Sequence, residues 1–437
     1  MKLRLFALLF AWLFSSTSLA AKELVIVTSF PKELFETYKK AFEAKYPGVR
    51  VVINSKPTPA GVTYVRETRA KPEADIFWAS SPDAFQSLKS EGLLEKHSLP
   101  KEISARIPAK IGDFPIHDPD GTFFGFAVSG YGLMWNRNYL QAHRLPTPKE
   151  WTDMADPKYH GHLVISAPSR SGTTHITIEV ILQAYGWNEG WALLLNAGGN
   201  MGAITERSFG VPEAVISGQH GIGVVIDFFG LSAIASGHPV DFAYPSLTSI
   251  VPANVGIVKS GPNPENARAF VNFLLSEPGQ LVLFSPEIGR LPVIPELYAK
   301  GPKNYPNPFR MKLGGVSFNT KLSSGRRAVV NSLYDHIITF RHRELKEAWG
   351  AIYRAEDAVG KAKKGDLDAA RKLIAEARKL ASQVPITDKR AIDKEVTGAF
   401  KAKTGLKAQL ETEWENLARA NYAKAKELAE KATGLAR

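Results

Sequence analysis

Apolar residues along this chain follow two alternating periods, one of two residues and one of three to four, and the switches between them outline its elements. Leu24–Thr28 is a short β-rich run, Pro31–Lys45 carries Leu34, Phe35, Tyr38 and Phe42 at helical spacing, and Val49–Ile53 returns to strand character. That succession predicts a βαβ unit. Asp75–Ala79 predicts another strand, and Ser80-Ser81-Pro82 opens a helix through Leu94, with proline where a first helical turn tolerates it. A largely parallel sheet follows.

Phe123–Asn136 predicts a strand long enough to pass from one lobe to another. The alternation then resumes, with strands at Leu163–Ser166, Met201–Thr205 and Gly223–Ile226 and helices near Thr174–Tyr185 and Pro212–Ser217. Tyr244-Pro245 and Val251–Val258 lead back to the first lobe, where Pro264–Leu275 is helical. After Ser323 the chain becomes charged, alanine-rich and helical. Leu367, Leu373, Ile374, Ala377 and Leu380 form one stripe, and Pro385 breaks the pattern before Asp388–Gly434. The expected organisation is a first α/β lobe from 21–130 and 245–322, a second from 131–244, and a helical extension over 323–437. The extension's stripe is expected to find its cover on the first lobe. Because every candidate site residue precedes Pro245, the extension is also expected to stand apart from the site.

At 437 residues and 44% hydrophobic, the chain is long enough for two or three domains. Lys2 and Arg4 ahead of the apolar run Leu5–Phe14, with Ser18-Leu19-Ala20 after it, read as a secretory signal over 1–20, cut after Ala20. The run is too short to span a bilayer. Cysteine is absent, which suits an oxidising compartment. The formal charge of +12 falls to about +10 without the signal's two cations, and roughly +7 of that follows Phe340. The globular part is nearly neutral. That argues against nucleic acid as a partner and leaves an anionic ligand open.

Candidate chemistry concentrates in Leu163–Gly186, where Leu163-Val164-Ile165 feeds into Ser169-Arg170-Ser171-Gly172-Thr173-Thr174-His175 and then a helical stretch. The N–H groups of a first helical turn lack intrahelical partners and sit at the positive end of the macrodipole. A phosphate, phosphonate or carboxylate fits there. Gly172 is expected to let a ligand oxygen approach the main chain, while Ser169, Ser171, Thr173 and Thr174 supply hydroxyls that bind or cap. A capped loop without ligand would use the same residues. In parallel sheets ligands sit beyond the carboxyl ends of the strands, which adds Thr28-Ser29 and Ser80-Ser81 to the same face. His160-Gly161-His162 lacks a third ligand at recognisable spacing, so no metal is assigned. Gly221-Ile222-Gly223 leads into a strand and is no dinucleotide fingerprint.

The order of the βαβ start, Trp78-Ala79-Ser80-Ser81-Pro82-Asp83, Ser129-Gly130-Tyr131-Gly132-Leu133-Met134-Trp135-Asn136 and Asn266–Gln280 resembles the periplasmic solute-binding proteins of ABC importers. The branch is the one holding ferric-iron, 2-aminoethylphosphonate, hexose-phosphate and phosphoglycerate binders, and the resemblance covers about Glu23–Pro295. It implies two α/β lobes joined by two crossing strands, with Ser129 and Tyr131 on a crossing strand at the cleft. Members with phosphorylated ligands carry a Ser-x-Ser-Gly-Thr-Thr loop and an Arg-Ser-Phe-Gly-Val-Pro turn, which stand here as Ser169–Thr174 and Arg207-Ser208-Phe209-Gly210-Val211-Pro212. Ferric-iron members hold the metal with paired tyrosines where this chain has Phe228 and Phe229, and phenylalanine offers no oxygen to a hard cation.

The implied ligand is a small anion carrying phosphate or phosphonate, gripped as the lobes close, with ABC importer membrane subunits as partners and no cofactor. Arg207 would bind the anion or pair with Glu206; Ser208 adds a hydroxyl. Asp227 would meet a ligand amine or hydroxyl, or cap a turn. Three alternatives remain: ferric-iron import, a sensor docking on a membrane partner through the helical tail, and an exported phosphatase with His175 as base for Ser171. No Gly-x-Ser-x-Gly elbow supports the last.

Overall fold

The computed structural model describes residues 22–112, 114–303, 305–311 and 316–436, so the expected signal segment lies outside the described residues. The first lobe begins β1 (Lys22–Thr28), α1 (Lys32–Lys45), β2 (Val49–Ser55), α2 (Thr58–Glu67), β3 (Ile76–Ala79) and α3 (Pro82–Ser90). Leu34, Tyr38 and Phe42 form the buried stripe of α1. Helix α3 stops at Ser90 rather than Leu94, because Gly92 takes a left-handed conformation (φ 69°) that ends the helix.

The strand β4 (Phe124–Asn136) is buried along its whole length. Beyond it come β5 (Leu163–Ser166), α4 (Gly172–Tyr185), α5 (Trp187–Asn200), β6 (Met201–Thr205), α6 (Gly210–Ile216), β7 (Ile222–Ile226), α7 (Asp227–Ala235) and β8 (Val240–Ala243). The chain returns through β9 (Ile250–Ile257), α8 (Pro264–Leu275) and the short β10 (Leu291–Pro292). One sheet runs through both lobes in the order β2-β1-β3-β9-β4-β7-β5-β6, with β8 and β10 also on β4. Pairing is parallel within each lobe and antiparallel wherever β4 or β9 takes part. The seam between lobes is thus built from β4, flanked by β9 on one side of the crossing and β8 on the other.

The extension holds α9 (Thr320–Tyr334), α10 (His342–Lys361), α11 (Leu367–Ala381) and α12 (Gly405–Leu435). Its core is continuous with that of the second lobe, not the first, which corrects the expectation from sequence. The reason lies in α5. Gly198 and Gly199 open a groove there, and a Cβ on Gly199 would lie 2.3 Å from Trp349 of α10. Buried alanines on α11 and α12, among them Ala370, Ala377, Ala425 and Ala429, let those two helices approach closely. The charged face of α9 is also tied inward: Arg326 makes a two-pronged bond, 2.9 Å on each arm, to the buried Glu179 of α4.

Candidate functional site

Three strand ends meet where the lobes touch. Beyond β1, Thr28 Oγ1 accepts the Phe30 N–H at 3.1 Å, a local turn that leaves Ser29 facing the second lobe, its Oγ accepting from Thr58 at 2.9 Å. Beyond β3, Ser80 reaches the cleft while Ser81 turns its hydroxyl to Asp83. Beyond β5, Ser171 caps α4 by accepting the Thr174 N–H at 3.1 Å, and Thr174 turns its hydroxyl back to Ser166. The helix therefore starts at Gly172, two residues earlier than expected. The N–H groups of Gly172 and Thr173 are left without intrahelical partners.

The narrow cleft brings together Ser29, Ser80, Ser171, Gly172, Thr173, Arg207 and Ser208, with Phe30, Phe209, Phe228 and Phe229 as apolar walls. Arg207 stands over Phe209 at 5.0 Å, and burial lowers its pKa below the usual arginine value. Glu206 does not hold it in an ion pair; that carboxylate takes Arg170 at 3.1 Å. Gly172 serves a purpose other than the expected one. A Cβ there would lie 2.6 Å from Thr58 Oγ1 and 2.8 Å from Ser81 Cβ, so the missing side chain admits the opposite lobe.

The remaining expected residues are set back from the cleft. Thr28, Ser81 and Thr174 are buried with their hydroxyls engaged as above, and Ser169 is half-buried in the turn before α4. Ser129 and Tyr131 are buried in the seam, where neither hydroxyl has a partner in the protein. Asp227 is a structural tie rather than a ligand group: it accepts from Gly130 N–H at 2.6 Å, Phe228 N–H at 2.7 Å and Tyr244 Oη at 2.9 Å. Burial still pushes its carboxyl up to about 6. His175 is no base for Ser171. Its ring nitrogens face Asn331 at 2.7 Å, Ser323 at 3.0 Å and Asp83 at 3.1 Å.

Two arginines escaped the reading from sequence. Arg327 of α9 donates to both Ser81 (2.9 Å) and Asp83. Burial alone would raise the Asp83 carboxyl, but Arg327 and His175 together hold it well below the usual range. The extension therefore reaches residues directly behind the cleft, contrary to the expectation that it stands apart. Arg290 lies in the wall of an adjoining pocket of about 420 Å³ that shares Phe30, Phe209 and Phe228 with the cleft. No local motif marks either residue.

Two α/β lobes on a common sheet, crossed by long strands and enclosing a hydroxyl-lined cleft, define a two-lobed solute-binding protein of the type that serves ABC importers. The chain belongs to the bacterial extracellular solute-binding proteins, whose family model matches residues 71–308. It is 31% identical over 375 residues to the phosphoglycerate transport regulatory protein PgtC of Salmonella typhimurium, spanning 86% of this chain and 88% of that one. Among solved structures it is similar to the periplasmic binding protein AfuA of Actinobacillus pleuropneumoniae with fructose-6-phosphate bound, at TM-score 0.65 and 20% identity over 73% of this chain and 99% of that one. It is also similar to the apo ferric ion-binding protein A of Pasteurella haemolytica, at TM-score 0.58 and 17% identity over 72% and 97%. Both structures agree with this chain in fold. Proteins of this family bind solutes for import and are not enzymes. Among the described residues no helix is long and apolar enough to cross a membrane.

Proposed function

We propose that the cleft binds a small organic anion through a phosphate or phosphonate group and delivers it to an ABC importer. The observation that carries this reading is the start of α4, where Gly172, Thr173 and Ser171 meet Ser29 and Ser80 of the opposite lobe in one cleft, with Arg207 of their own lobe beside them. Backbone donors at a helix N-terminus suit a tetrahedral oxyanion, and Arg207 adds a charge-assisted donor. An anion touching both lobes favours the closed form, so its differential affinity drives closure. In this reading the first lobe is 22–130 with 245–319, the second 131–244, and the extension begins at Thr320, where α9 starts.

The name of the Salmonella relative supports a phosphorylated ligand. Its regulatory role also favours a second reading, in which the liganded form docks on a membrane sensor through the helical extension. Against iron stand Phe228 and Phe229, which offer no oxygen in the cleft wall. A thermal-shift screen of the mature chain tests the proposal with 2-aminoethylphosphonate, phosphoglycerates, hexose phosphates, inorganic phosphate and ferric citrate. A ligand that binds only the folded state raises Tm. A rise with phosphorylated compounds is expected; a rise with ferric citrate alone would overturn the reading.

A further inference from the structure

At the end of the second lobe remote from the cleft, α10 and α12 of the extension and the turn before β5 enclose a pocket of about 260 Å³. His160 lies three residues before β5, whereas the cleft lies beyond the opposite end of that strand, so all of β5 separates the two. They share no lining residue. Along α10, Arg343, Lys346, Gly350 and Arg354 follow one another at steps of three, four and four residues, which puts them on one face of the helix. Lys426 of α12 lines the same pocket.

This stripe is short of counter-charge. Among the described residues Glu347 is the one carboxylate in the wall, and it already accepts from Lys426 at 2.9 Å, while Arg343, Lys346 and Arg354 have neither an ion pair nor a hydrogen bond. Like charges at such helical spacing repel. The pocket nevertheless gathers them: a Cβ on Gly350 would lie 3.0 Å from His160 Nε2 and 3.4 Å from Arg354 Nη1, and one on Gly161 would lie 3.6 Å from Lys346 Nζ. The His160 ring is flanked by Lys346, Tyr353 and Arg354 of α10 and by His162 of its own turn. Burial lowers its pKa, and Lys346 and Arg354 push the same way.

We propose that this pocket is a second anion site, independent of the cleft, for a phosphate-bearing group with two or more negative charges. Four cations against one carboxylate leave a surplus of three positive charges, which a singly charged ion would not offset. Arginine forks and lysine ammonium groups both match phosphate oxygens. A free polyphosphate and a phospholipid headgroup offer the same chemistry, and the exposed Arg343 and Arg354 leave the rim open to either. Once bound, such a group would bridge α10, α12 and the second lobe.

Two readouts on the full mature chain at one salt concentration test the site and tell its sources apart. The first is proton NMR of the histidine ring C–H signals with and without pyrophosphate, His160→Asn assigning the signal. A bound anion favours the charged ring, so the His160 pKa is expected to rise by at least about half a pH unit. The second is cosedimentation with phosphatidylcholine vesicles, with and without cardiolipin. A response to pyrophosphate marks a free anion as ligand, and one to cardiolipin alone marks a headgroup. Lys346→Gln with Arg354→Gln is expected to abolish the NMR response and to weaken cosedimentation at least about tenfold. Gly350→Ala keeps every charge but crowds His160, and is expected to shrink both responses; it decides the matter if the double variant does not fold. Lys363→Gln with Lys364→Gln, an equal loss of charge on the exposed loop after α10, is expected to leave both unchanged. Silence in both readouts would overturn the proposal, as would a response that survives in the pocket variants or falls equally in the loop control.

Discussion

Arg327 of the C-terminal extension donates to the carboxylate of Asp83 in the first lobe, and on its other side that carboxylate meets His175 of the second lobe at 3.1 Å. Three parts of the chain therefore converge on one buried acid directly behind Ser81. The extension supplies the charge that makes an acid tolerable beneath an anion site.

Removing that charge is expected to be severe. Arg327→Met leaves Asp83 buried with less compensation and should cost about 3–5 kcal/mol of stability, the range for breaking one side of a buried pair. Asp83→Asn in the same chain should recover much of the loss. Urea unfolding of the two single variants and the double variant measures the coupling; strictly additive effects would show that the two side chains do not depend on each other.

The cradle variants separate donors from geometry. Ser171→Ala with Thr173→Ala removes two hydroxyls and should lower affinity for a phosphorylated ligand at least about tenfold, the scale of one or two lost bonds to a charged group. Gly172→Val should act differently, because its side chain would strike Thr58 and Ser81. The lobes should then be held apart, and small-angle scattering should give a larger radius of gyration than for the unaltered chain.

Asp227 gives a pH signature. Its carboxyl is raised to about 6 in the folded protein, above an unfolded value of about 3.9, so the folded state binds more protons between those limits. The Asp227 contribution to stability is therefore full below about pH 4 and falls as pH rises to about 6, by about 3 kcal/mol. Asp83 works oppositely and lower: its contribution is full above about pH 4 and is lost below. Urea midpoints at pH 4.5, 5.5 and 6.5 should fall less steeply in Asp227→Asn. A parallel fall in both proteins would mean that Asp227 does not titrate in this window.

Iron offers a negative control with a visible readout. With Phe228 packed on Arg290 and no tyrosine pair at that position, ferric citrate should produce no charge-transfer band and no stoichiometric uptake. A coloured, stoichiometric complex would require oxygen ligands elsewhere in the cleft.

Trp349 tests how the extension is attached. Filling the groove at Gly199, it should cost about 3–5 kcal/mol when replaced by alanine. Heat or urea should then unfold the second lobe and extension together, since they share a core. Separate melting of the extension would show that it is an appended module.

The strands, the crossing element β4 and the hydroxyl loops were legible because each follows a local rule: period-two apolar runs, proline at a helix start, small residues at strand ends. Helix α5 was not, because its Gly190, Gly198 and Gly199 read against a helix and only the packing of Leu182, Leu345 and Trp349 accounts for them. Arg290 and Arg327 were invisible for another reason. Each depends on contacts with residues remote in the chain, Phe30 and Phe228 for Arg290 and Ser81 and Asp83 for Arg327, and nothing in Gly289-Arg290-Leu291 or Arg326-Arg327-Ala328 distinguishes a buried cation from a solvated one. Asp227 was ambiguous in sequence because a carboxylate opening a helix caps or binds with equal ease.

The attachment of α9 to both lobes bears on how quickly solute can come and go. With Ser81 and Asp83 of the first lobe held behind the cleft by Arg327 of the extension and by His175 of the second lobe, every opening must part several buried polar contacts before water or solute can pass. Exchange is then governed by the frequency of opening rather than by encounter. The observed rate of ligand capture would level off as solute concentration rises instead of climbing in proportion to it. A solute once inside would stay for the lifetime of the fastened state, so the extension, without touching the cleft, sets a clock on release.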